Sequence, residues 1–530
     1  MNELGLIDAN GLIAALNSMG GIGDFNDGNL ARFQKALTAT SGYTGYNLER
    51  EVKFRLPAYT VLRQRVAVDP GPVGPMAGPQ AHWKMQLGYN GFDFGAAMGT
   101  AFGGNGQDGD PNATDIGADY KSQSIHGAVQ LEAIDFGRQF TDPIKAQSMF
   151  NLQTLMRIEE LLVTGGNEIA ISGPTVTGSG LGTGSVFHAG TWRVKVTALT
   201  LEGTLRNATG AAANAGTLPA VKYPGESVVG TANITVGGTG LYIDVSWPVV
   251  EGALGYKVYC SSAYNDTTDV FLVDPTTEMT FKDGDAIVPQ FTGGKYVGVN
   301  HVHITHAPAG STPPPTVDGS ANANTFEGYW AWATKTTMYS QSLTGAGQRV
   351  FYDMDGAEFS AEDSGVAEIN DCLEKLALLY HTAPTAMVGS PKTIRAITNV
   401  STSNNSTNMM LVGNQGGNLQ QQNKVIGGLM IGGYTNQFAQ HYGMSPMIDI
   451  IAHPYMPDGS LMLLSETLPP DTYRFAQDSR CFALDVLRPY NYFPLASVDR
   501  NINFDIWFLE TLKCYYPTSQ AAIAGIDVSA

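Results

Sequence analysis

Basic residues are scarce: 30 Lys and Arg stand against 48 Asp and Glu, a net charge of −18, and no run of cations interrupts the chain. Sequence-independent nucleic-acid binding needs neutralising cations, so it is disfavoured. Charge of either sign is also short, at 15% of residues, well below the quarter usual in a soluble domain. A surface so poor in charge is expected to be covered by partners. Only four cysteines occur, Cys260, Cys372, Cys481 and Cys514, far apart and without CxxC spacing. They read as buried thiols of a reducing compartment, which excludes a disulfide framework and a Cys-based zinc site. No apolar run approaches the length of a membrane span. Met1 to Gly20 carries Glu3 and Asp8 and no cation before its apolar stretch, so no secretory signal is expected and sequons such as Asn233-Ile234-Thr235 are incidental. GxSxG, HExxH and Walker-type sequences are missing as well. The chain is therefore expected to be no enzyme, with no catalytic or cofactor-binding residue assigned.

What is present is core and turn material. Hydrophobic residues make up 43%, enough to exclude disorder, and 530 residues exceed one core and predict about three units. Gly at 62 and Pro at 27 point to a β-rich chain with many turns. A strand of about fifteen residues is predicted from Ile502 to Tyr516, roughly twice the usual length and on the order of 50 Å long. Its even face, Ile502 to Tyr516 through Phe504, Ile506, Phe508, Glu510, Leu512 and Cys514, differs from the odd one, which carries Asn503, Asp505, Trp507 and Lys513.

Along the chain, the Gly- and Asn-punctuated first fifty residues read as an extended arm, with a short helical candidate around Leu30 to Leu37. Alternation at Ala81, Trp83, Met85 and Leu87 recurs at Val129, Leu131 and Ala133, with the Gly-rich stretch Gly88 to Asp119 between, and predicts a long two-stranded arm. Asp142 as N-cap and Pro143 open a helix of about twenty residues that Gly165 and Gly166 close, with Met149, Leu152, Leu155, Met156 and Leu162 as its stripe. From Ser172 to about Ala321 the composition turns to Gly, Thr, Val, Ala and Pro without a helical period. Strands at Trp192 to Ala198, Leu241 to Trp247 and Gly255 to Tyr259 predict a β-sandwich there. After the linker Pro308 to Asn324, Ser360 with Asp363 approximates a capping box for a helix through Val366, Ile369, Leu373, Leu376 and Tyr380. Ala386 to Val388 then forms a short strand, and Ser390-Pro391 opens another helix through Ile394 and Ile397.

Several residue groups invite a chemical reading. His301, His303 and His306 form an HxHxxH cluster whose first two members share a strand face and can bind Zn²⁺, weighed against a polar linker edge with no carboxylate or thiolate nearby in sequence. Asp108, Asp110, Asn112 and Asp115 alternate oxygen ligands as calcium loops do, but the turn-permitting Gly of an EF-hand is missing, so a solvated arm tip is preferred. Gly178, Gly180, Gly182 and Gly184 read as a flexible linker and not a phosphate cradle. Trp330 and Trp332 beside Tyr329 read as core or interface sooner than as a sugar platform. No metal site is assigned.

The element order resembles the major capsid proteins of tailed bacteriophages, the HK97-type fold. Three segments carry the likeness: Ala386-Met-Val-Gly-Ser-Pro-Lys-Thr-Ile-Arg-Ala-Ile397; Ile426 to Tyr434 with Pro454 to Gly459 and Leu461 to Ser465; and Arg480 to Ile526 with its Lys513-Cys-Tyr-Tyr-Pro517 ending. The stretches Leu241 to Trp247 and Gly255 to Tyr259 are similar to fibronectin type III and related immunoglobulin-like modules. The resemblance implies an α+β, HK97-like capsid fold with an inserted all-β Ig-like sandwich. Its parts would be an N-terminal arm (1–50), extended loop and peripheral domain with spine helix (51–171), the insert (172–321), an axial domain (322–480), and peripheral strands with a C-terminal tail (481–530). It implies a subunit assembling as hexamers and pentamers of an icosahedral virion head, built in the host cytoplasm, which encloses double-stranded DNA without sequence-specific binding and touches no membrane. Scaffolding, portal and decoration proteins would be its further partners, and the insert would decorate the outer surface. Lys84 and Lys121 fall in or near the extended loop, from which some relatives form Lys-Asn cross-links. The alternatives are an encapsulin-type nanocompartment shell and a surface adhesin or carbohydrate-binding protein built on the β module.

Overall fold

The computed structural model describes residues 60–71, 78–90, 110–137, 142–181, 186–208, 224–237, 241–266, 268–290, 294–343, 349–362, 365–403, 409–411, 431–436, 438–439, 444–468, 480–497 and 500–529. The N-terminal arm and its helical candidate, Ile426 to Met430, Asp108, Gly182, Gly184 and Asp363 lie outside them. The fold is mixed α+β, with many strands and few helices, as expected. One compact unit takes in Val129–Gln147, the other Pro57–Ala128 with Ser148–Ala530. In the first, Leu131–Gly137 is a helix where alternation predicted a strand, with Leu131 exposed and Ile134 buried. Leu131 and Ala133, the alternating pair, are both exposed, so the alternation marks no buried sheet face.

The second strand of the arm is instead Asp110–Asp119, antiparallel to Gln80–Asn90 from Gln80 opposite Asp119 to Asn90 opposite Asp110. The pair is a separate two-stranded sheet. Near its base Ala81, Trp83, Met85, Ile116 and Ala118 are buried, and the Trp83 indole donates to the Cys514 carbonyl at 2.8 Å. A four-stranded sheet runs in the order Ala67–Pro70, Phe482–Pro494, Asn501–Cys514 and Lys121–Gln130. In its long strand Phe504, Ile506, Phe508, Glu510, Leu512 and Cys514 are buried, whereas Asn503, Asp505, Trp507, Leu509 and Lys513 are half-buried. The two faces follow the period of two, except that Ile502 is only half-buried and Thr511 is buried as well.

A seven-stranded mixed sheet follows the order Val350–Asp353, Ala521–Ala524, Ser460–Leu464, Ala386–Gly389, Met447–Ala452, Ile431–Thr435 and Met409–Leu411. The segment expected as a tail is thus an interior strand, parallel to Val350–Asp353 and antiparallel to Ser460–Leu464. Apolar Ala521-Ala-Ile-Ala524 is small enough to lie wholly buried between two neighbours. The helix Pro391–Ser403 starts as predicted, the Ser390 hydroxyl accepting the Thr393 N–H at 3.1 Å. The helix Ala367–Tyr380 starts later than its capping-box reading: Ser360 is not its cap, and a two-strand turn, Ala361–Glu362 with Gly365–Val366, intervenes. The Glu368 carboxylate instead accepts the Ser360 N–H at 3.1 Å.

All strands from Thr177–Leu181 to His301–Ile304 pair among themselves, in two four-stranded sheets. One runs Val270–Leu272, Gly255–Ser261, Gly190–Leu199, Gly230–Val236; the other Met279–Phe281, His301–Ile304, Tyr242–Ser246, Thr177–Leu181. Both line one core that includes Trp192, Val194, Val196, Ile243, Val245, Trp247, Val302 and Ile304, so the region is a β-sandwich. A helix, Leu201–Ala208, interrupts it against expectation. Gly178 and Gly180 also depart from the linker reading, because they sit in a strand paired with Tyr242–Ser246. A Cβ on Gly178 would stand 2.5 Å from the Asp244 carbonyl oxygen, so glycine serves close approach there, not flexibility. Among the described residues no helix is long and apolar enough to cross a membrane.

Candidate functional site

The long helix Pro143–Gly165 begins as its sequence dictates: Asp142 Oδ1 accepts the Ile144 N–H at 3.0 Å, satisfying one of the free donors of the first turn. Its buried side differs from the predicted stripe. Leu155 and Leu162 are buried, but Met149 and Phe150 are exposed, and Asn151, Glu159 and Glu160 lie inside. Carboxylates go inside only when partners meet them. Glu160 accepts the N–H groups of Leu62 and Arg63, both at 2.9 Å, and its Oε1 lies 3.0 Å from His453 Nε2. Those donors open the short helix Val61–Arg65, so a residue of the long helix caps another helix almost a hundred positions away. Glu159 accepts from the Arg63 guanidinium and the Tyr490 hydroxyl.

Glu510, on the long strand, faces Glu159; burial and then the Glu159 charge hold its carboxyl well above the usual range. Arg65 grips Glu466 through two nitrogens, at 2.5 and 2.9 Å, and reaches Asp449 Oδ2 at 2.9 Å. Long helix, long strand and seven-stranded sheet are thus tied at one short helix. The sequence held a usable signal: Glu159 stands four residues after Leu155 and three before Leu162, inside the apolar stripe.

A second junction ties the sandwich down. The buried Lys335 ammonium donates to both Glu327 oxygens at 2.9 Å, to Asn167 Oδ1 at 2.8 Å and to the Ile169 carbonyl at 3.0 Å. Burial pulls Lys335 below its ordinary range and pushes Glu327 above its own, and each charge opposes the other's shift. The Trp330 indole donates to the Ala253 carbonyl at 2.9 Å, and Asn300 Nδ2 donates to Asp353 Oδ1 at 2.8 Å. Packing here is close enough that a Cβ on Gly298 would lie 1.8 Å from the Asp458 carbonyl oxygen.

Trp330 and Trp332 sit in the helix Tyr329–Thr334 and are buried, which removes the sugar-platform reading. Asp110, Asn112 and Asp115 lie in the strand Asp110–Asp119, where a calcium loop's wrapping turn is absent. Lys84 pairs across the hairpin with Asp115, and Lys121 is buried against Glu168 at 2.5 Å. All four cysteines are buried and free.

His301 and His303 share one face of the strand His301–Ile304 as predicted, and the carboxylate missing from the sequence neighbourhood is Asp244 of the adjacent strand. Asp244 Oδ1 lies 2.7 Å from His301 Nε2 and 3.2 Å from His303 Nε2. Burial lowers the pKa of His303 against the pull of Asp244. The exposed His306 is turned to its neighbour Thr305 at 3.1 Å and does not join them.

A second acidic group, Asp283, Asp285 and Glu358, is exposed. Near it, burial chiefly, and then Asp283 and Glu358, push the Asp527 carboxyl up to about 6. The folded state therefore holds this proton more tightly than the unfolded chain, whose aspartate titrates near 3.8. Asp527 contributes stability below pH 4 that is lost as the pH rises through about 6. The Asp527→Asn variant is expected to lose less melting temperature than the parent between pH 4 and 6.5; parallel thermal scans across that window are the check.

A scan against protein-family models and a search of curated proteins find no match. Among solved structures, the chain is similar to the holo-SrpI encapsulin complex from Synechococcus elongatus, with 9% identity, 96% of this chain and 98% of that one covered, and a TM-score of 0.37. The cyanophage A-1(L) capsid gives 9% identity, 92% and 99% coverage and a TM-score of 0.43. The capsid of a native GTA particle gives 8%, 93% and 98%, and 0.38.

Proposed function

We propose that this chain is the shell subunit of an icosahedral, HK97-like capsid, the major capsid protein of a tailed phage enclosing double-stranded DNA. The observation that carries the reading is the set of long elements that outrun their own core. Among the described residues the strands Gln80–Asn90 and Asp110–Asp119 pair with no third strand, and a two-stranded ribbon is marginal in water unless other surfaces cover it, as this chain covers its base at Trp83 and Met85. The far half of Phe482–Pro494 is largely exposed, with Tyr492 and Phe493 facing solvent, and Phe150, Leu378 and Leu379 are exposed as well. Such surfaces fit burial against neighbouring copies, where many modest contacts sum to a stable shell. The low charge content fits the same use, and the acidic balance suits a wall that retains DNA without gripping it.

The proposed division keeps an arm, a loop-bearing peripheral part, an insert and an axial part. The insert would present its outer loops to the exterior while the Lys335 and Trp330 junctions hold its base. Electron microscopy of the untagged chain, expressed alone and with its neighbouring genes, tests the reading. Closed shells or capsomer rings are expected; a monodisperse monomer under every assembly condition overturns it. Protein cargo in place of DNA inside the shells would shift the assignment to a nanocompartment.

A further inference from the structure

We propose that Asp244, His301 and His303 form a zinc site on the outer face of the sandwich sheet. Tyr242–Ser246 and His301–Ile304 run antiparallel, with His303 opposite Asp244 and His301 opposite Ser246. Alternation puts both imidazoles on the face that carries the Asp244 carboxylate. One ligand atom from each of the three lies within 4.8 Å of the other two, a spread that bonds of about 2.0–2.2 Å to one central ion can gather with small side-chain adjustments. Both Nε2 atoms converge on a single carboxylate oxygen, an arrangement that a simple ion pair does not need.

The surroundings hold the ligands in place. His301 presents its other nitrogen, Nδ1, to Asp355 Oδ2 at 3.3 Å, the carboxylate–imidazole relay that orients metal-bound histidines. Asp355 is itself held by Lys282, whose Nζ donates to the Asp355 carbonyl at 2.6 Å. The Tyr242 ring stacks on His303, centroids 4.1 Å apart and planes 20° apart, which fixes the imidazole plane. The three side chains are 14–21% exposed, so an ion can enter while bulk water is limited.

Two imidazoles and one carboxylate are a borderline donor set. It suits Zn²⁺, with Co²⁺ as a spectroscopic substitute, and not Ca²⁺ or Mg²⁺, which take oxygen ligands in larger number. Three protein ligands leave a fourth tetrahedral position open to water or to a donor from outside the chain. The ion would clip two adjacent strands of the sandwich and add to its stability in proportion to occupancy.

The test uses untagged full-length protein, stripped with chelator and then titrated with Zn²⁺ by equilibrium dialysis and with Co²⁺ by absorption spectroscopy. One equivalent per chain and the intense visible band of tetrahedral Co²⁺ are expected. His303→Ala is expected to weaken binding more than a hundredfold, and Asp355→Asn by about 10–100-fold with the band retained. His306→Ala should bind as the parent does. Failure of the parent protein to bind one equivalent of Zn²⁺ overturns the proposal whether or not the variants fold. So does binding of equal strength in the His303→Ala and His306→Ala proteins.

Discussion

Replacing Lys335 with alanine is expected to cost about 3–5 kcal/mol of stability, the range for removing one partner of a buried ion pair. Glu327, 1% exposed, would be left with the Ile169 N–H at 2.7 Å and no counter-charge, and Asn167 and the Ile169 carbonyl would lose their donor. The loss concentrates where the chain leaves the long helix and where it returns through the helix Tyr329–Thr334, so the sandwich should loosen from its base first. Urea unfolding followed by tryptophan fluorescence reads this directly, because Trp330 and Trp332 lie beside the junction. The double variant Lys335→Met with Glu327→Leu should recover most of the loss, since apolar groups of similar volume can replace both charges at little net cost. A Lys335→Ala loss below about 1 kcal/mol would show that the junction holds nothing.

The Glu160→Leu variant is expected to cost a similar 3–5 kcal/mol. Two backbone donors, on Leu62 and Arg63, and the fully buried His453 would lose one shared acceptor. With the short helix Val61–Arg65 released, Arg65 would no longer be aimed at Glu466 and Asp449, so the long helix and the seven-stranded sheet should uncouple together. Glu510→Gln supplies the contrast: burial and the Glu159 charge already disfavour its ionised form, so the neutral amide should leave stability within about 0.5 kcal/mol of the parent. Denaturation midpoints of the two variants decide the matter, and equal losses in both would sink the assigned roles. If the shell reading is right, Glu160→Leu should also assemble poorly under electron microscopy while Glu510→Gln assembles as the parent does.

Local signals proved legible wherever chemistry and neighbour lay a few residues apart. Asp142-Pro143 and Ser390-Pro391 open helices because a side-chain acceptor and a preset φ need no distant help. The long strand shows its two faces because alternation is a property of the pleat itself. The misreadings fall where two local patterns compete or where a partner is remote. Leu131 and Ala133 alternate, yet both are exposed on a helix and face no core. Gly178 looks like linker glycine until the Asp244 carbonyl is brought against it. The zinc reading of His301 and His303 lacked a carboxylate because Asp244 lies 57 positions earlier.

Composition and period by themselves determined the β-rich α+β character, the place of the sandwich, the long helix and strand, and the absence of a named catalytic motif. Each follows from residue type at short range, through backbone preference or the period of two or 3.6. Tertiary structure alone decided that Glu159 and Glu160 go inside, that Ala521–Ala524 is an interior strand, and that one carboxylate meets two imidazoles. Those outcomes depend on strand order and register, which bring together groups from 57 to almost 300 positions apart. A buried charge is tolerated only after such a meeting, so no local window of the chain contains the reason for it.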